Sequence, residues 1–265
     1  MSFQGSTFIY DGIPSDMYGL MIANIDSDKQ SVGNYGGKLS ISEDRFSGRA
    51  TGLHYGTYAN DALSFPITFV VCEDNRHLDR YEQAAIAGWL TGHQDYKQLV
   101  ICQHDMEGVY YNCLITELKA VEAGMRQIGF TATVTCDGPY AYRSCANDVI
   151  VCGGSAQYLY RNLSNVNDVF RPVITVTCTG TSFSIENQAN GTLFTLSGME
   201  DGARTITIDC LNQVMTSSDG LNLYQYWNDG VDKEFPSFVR GDNILNLSGN
   251  GTVTIRNEFP WNVGF

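Results

Sequence analysis

A mainly β protein is predicted by three features of the sequence. Short stretches in which apolar and polar residues alternate with period two recur along nearly the whole chain of 265 residues. Turn-forming dipeptides such as Asp11-Gly12, Asn190-Gly191, Asp219-Gly220 and Asn250-Gly251 separate them. The composition, with 27 Gly, 15 Tyr, 13 Phe and 17% charged residues, suits many short strands joined by tight turns. One segment departs from this pattern and carries helical periodicity.

The length admits two domains or one large β domain, with a core that needs no covalent staples. A formal charge of -13 and a pI near 4.5 argue against a nucleic-acid-binding surface, which needs clustered Lys and Arg to neutralise phosphates. Partners are therefore expected to be proteins. Met1 to Gln30 holds no basic segment followed by an apolar core, and no run approaches the roughly 20 apolar residues of a spanning helix. Synthesis in the cytosol without membrane insertion is expected. The 8 cysteines could form a disulfide framework or ligate metal, but no C-x-x-C or H-x-x-x-H pair occurs. Cys72, Cys113, Cys136 and Cys178 sit in strand-like apolar runs and are expected to be buried free thiols in a reducing compartment.

In chain order, Ser6 to Tyr10 reads as a strand, residues 11 to 16 as a turn, and Met17 to Ile25 as the returning strand of a hairpin. Asp26, Asp28 and Gln30 mimic the opening of a calcium loop, but Ser31 stands where the motif needs Gly and no Glu closes it, so no metal site is assigned. Lys38 to Glu43 alternates again. Asp44 to Asn60 is polar and rich in Gly and Tyr, too long for a tight turn, and is either disordered or an arm that packs against something else. Leu63 to Cys72 is an apolar strand in which Pro66 marks an edge or bulge.

The helix is expected from about residue 74 to 90. Leu78, Tyr81, Ala85 and Trp89 fall at i, i+3, i+7 and i+11, with Ile86 and Leu90 beside them. Asp74 or Asn75 is the expected cap and Gly92 the stop. Trp89 at this spacing reads as the anchor that seats the helix on a sheet. Strands follow at Gln98 to Gln103, Gly108 to Val121 and Met125 to Cys136, ended by Asp137-Gly138-Pro139.

A domain boundary is placed near 143 to 148, where the sequence turns polar and Gly153-Gly154-Ser155 follows, giving domains 1-145 and 146-265. Short strands at Tyr158 to Leu163, Pro172 to Thr179, Phe183 to Asn187, Thr192 to Leu196 and Thr205 to Asp209 have the spacing of a β-sandwich. Phe235 to Val239 reads as one more strand and Gly241-Asp242-Asn243 as a turn. Ile244 to Leu247 and Val253 to Ile255 then form a hairpin about a Ser248-Gly249-Asn250-Gly251 turn.

No catalytic, cofactor-binding or metal-ligating set emerges. Glu117, Glu122, Asp209, Glu234, Asp242 and Glu258 show no pairing pattern. His77, His93 and His104 lack a second ligand at strand or helix spacing, and no nucleophile elbow or phosphate loop occurs. Tyr224-Gln225-Tyr226-Trp227 could stack on a sugar ring, which keeps a carbohydrate-binding module for host attachment as the alternative function. Three aromatics within four residues of one strand cannot share a face, so at least one is expected in the core.

Several of these segments together resemble the distal tail proteins (Dit) of long-tailed, siphovirus-type bacteriophages. The opening Phe8-Ile9-Tyr10-Asp11-Gly12 with Tyr18-Gly19-Leu20, and Trp89-Leu90 followed by Tyr96-Lys97-Gln98-Leu99 and Tyr110, are similar to the start and middle of that family. Cys136-Asp137-Gly138-Pro139-Tyr140-Ala141 is similar to the end of its first domain. Ile208-Asp209, Gln213, Asp219-Gly220 and Phe238-Val239-Arg240-Gly241-Asp242-Asn243-Ile244 are similar to its second. One departure is that Gly138, with Asp137 ahead of it, precedes Pro139 where the family pattern places Asp.

The resemblance implies a ring-forming N-terminal β domain, barrel- or sandwich-like, with one helix, and a C-terminal galectin-like antiparallel β-sandwich. It implies a non-enzymatic virion protein of the tail tip, assembled as a hexameric ring, single or double. The ring would be a hub between the tail tube and the tail-associated lysin or baseplate proteins. The segment Asp44 to Asn60 would belt a neighbouring subunit.

Overall fold

The computed structural model describes residues 6–23, 39–48, 50–59, 61–72, 76–227 and 233–263. The calcium-loop mimic at Asp26, Asp28, Gln30 and Ser31 and the expected helix caps Asp74 and Asn75 lie outside these residues. The chain divides into two units, Met1–Tyr142 with Trp261–Phe265, and Arg143–Pro260. Each has its own apolar core.

The strands of the first unit are β1 (Thr7–Tyr10), β2 (Ile13–Pro14), β3 (Leu20–Ile22), β4 (Leu39–Asp44), β5 (Leu53–Ala59), β6 (Ser64–Val71), β7 (Lys97–Cys102), β8 (Val109–Ala123) and β9 (Arg126–Cys136). All but β4 and β5 join one antiparallel sheet in the order β2-β1-β7-β8-β9-β6-β3. Asp11 and Gly12, with φ of 51° and 75°, form the two-residue loop between Tyr10 and Ile13. Asp-Gly is suited to such a loop because both positions need left-handed backbone.

The expected return strand from Met17 is corrected. Ser15–Tyr18 is a 3-10 turn, and β3 pairs with β6 rather than β1. The buried Ser15 explains the turn: Phe8 N donates to its Oγ at 3.1 Å, and that hydroxyl donates to Leu20 O at 2.9 Å. Pro66 in β6 is opposed by Thr133 of β9, whereas β3 covers Phe69 to Val71 only. Thr68 O accepts from Ala23 N on the β3 side, so the even-numbered residues turn their backbone groups that way. The missing N–H of Pro66 therefore falls on a locally uncovered edge, as the proline predicts.

The helix α1 spans Arg80–Thr91 and begins six residues later than expected. Asp79 is its cap: the carboxylate accepts from Tyr81 N and Glu82 N, both at 2.8 Å, and Asp79 N donates back to the Glu82 carboxylate at 3.0 Å. This reciprocal box satisfies donors that the first turn leaves open. The late start changes the apolar stripe. Ile86, Trp89 and Leu90 are buried, Leu78 is buried ahead of the helix, and Tyr81 is 88% exposed. Trp89 stacks on Phe8 and Tyr18 at centroid separations of 5.8 and 5.1 Å and donates its Nε1–H to Tyr10 O at 3.1 Å. The indole thus fixes the helix to β1.

Strand β10 (Ala141–Ser144) crosses the division between the units. The second unit contains β11 (Asp148–Asn162), β12 (Val173–Asn187), β13 (Thr192–Ser197), β14 (Arg204–Asp209), β15 (Val214–Ser217) and β16 (Gly241–Ile255), and β17 (Glu258–Trp261) ends at the division. The sheet order is β11-β16-β12-β14-β15, with β13 on the far half of β12. The N-terminal half of β12 pairs with β14 and its C-terminal half with β13, so the two halves serve different partners. Side chains from both halves, among them Ile174, Val176, Ile185, Leu247 and Val253, meet in one core, which is how a folded sheet closes a sandwich.

Three expectations are overturned here. The closing hairpin does not exist: residues 241–255 are one 15-residue strand paired with β11 on one side and β12 on the other. The strand expected at Tyr158 to Leu163 spans Asp148–Asn162 and takes in Gly153-Gly154, and the strands expected at Pro172 to Thr179 and Phe183 to Asn187 are one, Val173–Asn187. The common cause is a belt of glycines at one level, where Gly154 opposes Gly249 and Gly251 lies between Cys152 and Cys178. These residues bend the strands instead of reversing them. Leu245, Leu247, Val253 and Ile255 are all buried, so the odd-numbered face stays inward across residues 248–251.

Phe235 to Val239 is not a strand; Phe238 makes a single bridge to Phe170. Asparagines hold this segment instead. Asn162 donates to Phe238 O at 3.2 Å and Asn187 to Ser237 O at 2.9 Å. Asn243, fully buried, donates to Val239 O and Gly241 O at 2.8 and 2.9 Å and accepts from Asn187 Nδ2 at 2.9 Å.

Candidate functional site

The chemistry-bearing residues do not converge. Glu117 pairs with Lys119 at 3.0 Å, Asp242 with Arg161 at 2.8 Å and Glu258 with Arg256 at 2.5 Å, each on exposed strand surface. Asp209 accepts from Asn212 N at 2.9 Å, closing its own turn. Glu122 and Glu234 are exposed. Asp137, ahead of Gly138-Pro139, has its carboxyl pushed up by burial, opposed by a hydrogen bond from Tyr142 at 3.1 Å. His77 is exposed, His104 sits in a 3-10 turn, and His93 lies 3.8 Å from the Asp11 carboxylate. Among the described residues no group of three or more His, Cys, Asp or Glu could hold a metal ion. Cys113, Cys136, Cys152, Cys178 and Cys210 are buried thiols, but Cys72 lies just past the end of β6 and is exposed, as is Cys102.

The aromatic run 224–227 is not a strand. Leu223–Gln225 is a 3-10 turn, and Tyr224 is held by a hydrogen bond from Met215 N at 3.1 Å and one donated to Gln213 O at 3.2 Å. Trp227 packs against Phe235 and Phe194 with centroids 4.8 and 5.9 Å away, and Tyr226 also packs on the core. The indole therefore anchors the core margin and offers no free stacking platform.

What the fold presents outward is edges and ribbons. Strands β4 and β5 form a two-stranded sheet that pairs with no other strand among the described residues. This corrects the reading of residues 44–60 as one extension: its second half is β5, the partner of the preceding strand. Ile41, Phe46, Leu53 and Tyr55 on this ribbon are 63%, 52%, 42% and 64% exposed. A two-stranded ribbon in water is marginal by itself.

The tip of the β8–β9 hairpin, residues 121–128, holds no buried residue and turns at Met125, which is 98% exposed. In the second unit β11 is a 15-residue edge strand with Val149, Val151 and Leu159 exposed. Val149 heads a row with Thr254, Thr175, Thr207 and Thr216, and Val151 a row with Thr252, Thr177 and Thr205. In a chain of net charge -13 this uncharged face is a distinct surface. None of these features was legible as a site in the sequence, because edges exist only once the strand order is known.

Comparison with known proteins matches residues 3–138 to the family described as the phage tail protein N-terminal domain. The chain belongs to that family. Its fold is similar to that of the phage SPP1 Dit protein (gp 19.1), described as a paradigm of hub adsorption apparatus in Gram-positive infecting phages. The TM-score is 0.70 at 13% identity, over 97% of this chain and 100% of that one. A chain of the phage P2 baseplate in its activated conformation matches with a TM-score of 0.46 at 10% identity, over 95% of this chain and 98% of that one. No curated protein sequence matches the chain. The mainly β architecture, with one α-helix among the described residues and several antiparallel sheets, matches the fold of SPP1 Dit. Among the described residues no helix is long and apolar enough to cross a membrane.

Proposed function

We propose that this chain is a non-enzymatic structural protein of the virion that forms a hexameric ring at the distal end of a phage tail. The ring acts as a hub between the tail tube and tail-tip, lysin or baseplate proteins. The observation that carries this reading is the likeness to SPP1 Dit over both units, in a chain whose first half belongs to a phage tail family. In this reading residues 1–145 form the ring and residues 146–265 are the galectin-like domain that projects from it.

The ribbon of β4 and β5 lays its exposed Ile41, Phe46, Leu53 and Tyr55 on the neighbouring subunit. Cyclic closure then uses one heterologous interface six times and leaves none open. Rings stand alone or back to back. The acidic balance makes a lumen wide enough for DNA repel the duplex rather than grip it.

The test is the native mass by light scattering across a range of concentrations. Six or twelve times the chain mass of 29.3 kDa is expected. Ile41→Glu with Tyr55→Glu is expected to give single chains that keep the circular dichroism of the parent, since neither residue is buried within the chain, and that melt lower by the stability assembly contributed. A single-chain mass for the unmodified protein at every concentration overturns the ring.

A further inference from the structure

We propose that Cys113 and Cys136 are a latent cross-strand disulfide, an oxidative modification site in the neck of the β8–β9 hairpin. The two residues are directly opposed in the ladder. Asp137 N donates to Asn112 O at 2.9 Å, one residue beyond the pair on each strand, while Cys136 N turns to the other side and donates to Leu63 O at 2.8 Å. That pattern identifies the pair as a non-hydrogen-bonded one, where Cα atoms stand about 4.5 Å apart and both side chains share a face. A disulfide accepts Cα separations of roughly 4.4 to 6.8 Å. Both side chains are 0–1% exposed, so they point into the same core.

The other buried thiols do not offer this. Cys152 and Cys178 are both opposed to Gly251 and so lie two strand spacings apart, about 9.5 Å, beyond the reach of an S–S bond. The location also matters. Residues 114–135 between the two cysteines form a hairpin whose base, with Ile115, Phe130, Ala132 and Val134, lies in the core and whose tip, residues 121–128, holds no buried residue, so a bond between the cysteines would close base and tip into one covalent loop.

The chemistry is thiol–disulfide exchange with a small-molecule disulfide of the oxidised-glutathione class. One cysteine thiolate attacks a sulfur of the oxidant and expels one thiol, leaving a mixed disulfide on the protein. The second cysteine thiolate attacks the protein-bound sulfur and expels the other thiol. The protein loses two electrons and two protons, and the oxidant takes up both. Burial pushes Cys113 and Cys136 up, the latter to about 12, so both stay protonated in the closed fold. Exchange therefore needs transient opening of the hairpin and is slow in the native chain.

The full chain is treated with oxidised glutathione at a urea concentration just below unfolding, returned to buffer, and alkylated under denaturing conditions. The expected result is a mass lower by two hydrogens, a Cys113–Cys136 cross-linked peptide in the non-reducing digest, and a melting midpoint raised by roughly 5 to 10 °C. Dithiothreitol should reverse all three. Alkylation of both cysteines after treatment, pairing of either with another cysteine, or a link that leaves the midpoint unmoved overturns the proposal. Cys113→Ala serves as the control in which no link forms, and the peptide map of the unmodified chain decides the matter even where that variant folds poorly.

Discussion

Replacing Gly251 by Ala separates the bent strand from the tight turn that its Asn-Gly dipeptide suggests. A Cβ on Gly251 would stand 2.1 Å from Thr177 O and 2.8 Å from Cys178 Cα. Both atoms are backbone of β12, so no side chain can swing aside and the strands themselves must part. The residue also sits at φ 157°, at the margin of the range that L residues rarely adopt. Overpacking of this kind costs about 1 to 3 kcal/mol and a forced backbone conformation a similar amount. Together they predict a loss of roughly 2 to 6 kcal/mol, or a midpoint lower by about 8 to 24 °C for a unit of this size. Scanning calorimetry is the assay, because two units need not melt as one transition. Gly153→Ala is the internal control. It lies opposite Asn250 in the same belt, has nothing within 4 Å of an added Cβ, and should change stability by less than about 0.5 kcal/mol. A Gly251→Ala chain within about 1 kcal/mol of the parent would refute the continuous strand and restore a solvent-exposed turn at residues 248–251.

Asn243→Ala should cost about 3 kcal/mol in urea denaturation of the second unit, since it removes the partner of Val239 N, Val239 O, Gly241 O and one Asn187 N–H at a fully buried position. Asn243→Asp, equal in shape, should cost more because it buries a carboxylate. Trp89→Phe keeps the ring against Phe8 and Tyr18 but removes the donor to Tyr10 O, predicting a loss of about 1 to 2 kcal/mol, against about 4 kcal/mol for Trp89→Ala. The Glu82 carboxyl is held below its ordinary 4.5 first by the Asp79 backbone N–H and then by Arg76. A depressed folded pKa gives stability that is complete above pH 4.5 and fades as pH falls through the lower folded value. The melting difference between the parent and Glu82→Gln should therefore shrink on acidification from pH 6 to pH 3.

The first unit was largely legible. Alternation located β6, β7, β8 and β9 to within a residue or two, because each half-buried strand prints its pleat on the sequence. The helix start was misplaced because two cap candidates, Asp74 and Asn75, preceded the true one. What distinguished Asp79 was Glu82 three residues on, the second half of a capping box, and that pairing was available in the sequence. The second unit was less legible because its long strands carry glycine where they bend. Glycine at a bend and glycine in a turn look alike in one strand. They differ only in the neighbours, and the register that sets Gly249 against Gly154 is a long-range property. The unbroken parity of Leu245, Leu247, Val253 and Ile255 was the local clue that spoke for one strand.

The site was less legible than the fold for a different reason. Catalytic and metal sites concentrate chemistry into residue types that stand out in a sequence, whereas an assembly surface uses the same Ile, Leu, Tyr and Thr that build cores. Ile41 alternates with polar neighbours as a core residue would, and only the strand order reveals that its ribbon joins no other sheet among the described residues. The magnitudes favour a partner for it. Ile41, Phe46, Leu53 and Tyr55 are between 42% and 64% exposed, so covering what remains is worth about half of the roughly 1.5 to 3 kcal/mol that full burial of each would bring. Their gross sum of roughly 3 to 6 kcal/mol does not exceed the entropy cost of a single association by much, so one such contact between two chains is weak. In a closed ring the last subunit makes two contacts while losing its freedom once. The proposed ring would therefore draw from this modest ribbon a stability that a pair of chains would not.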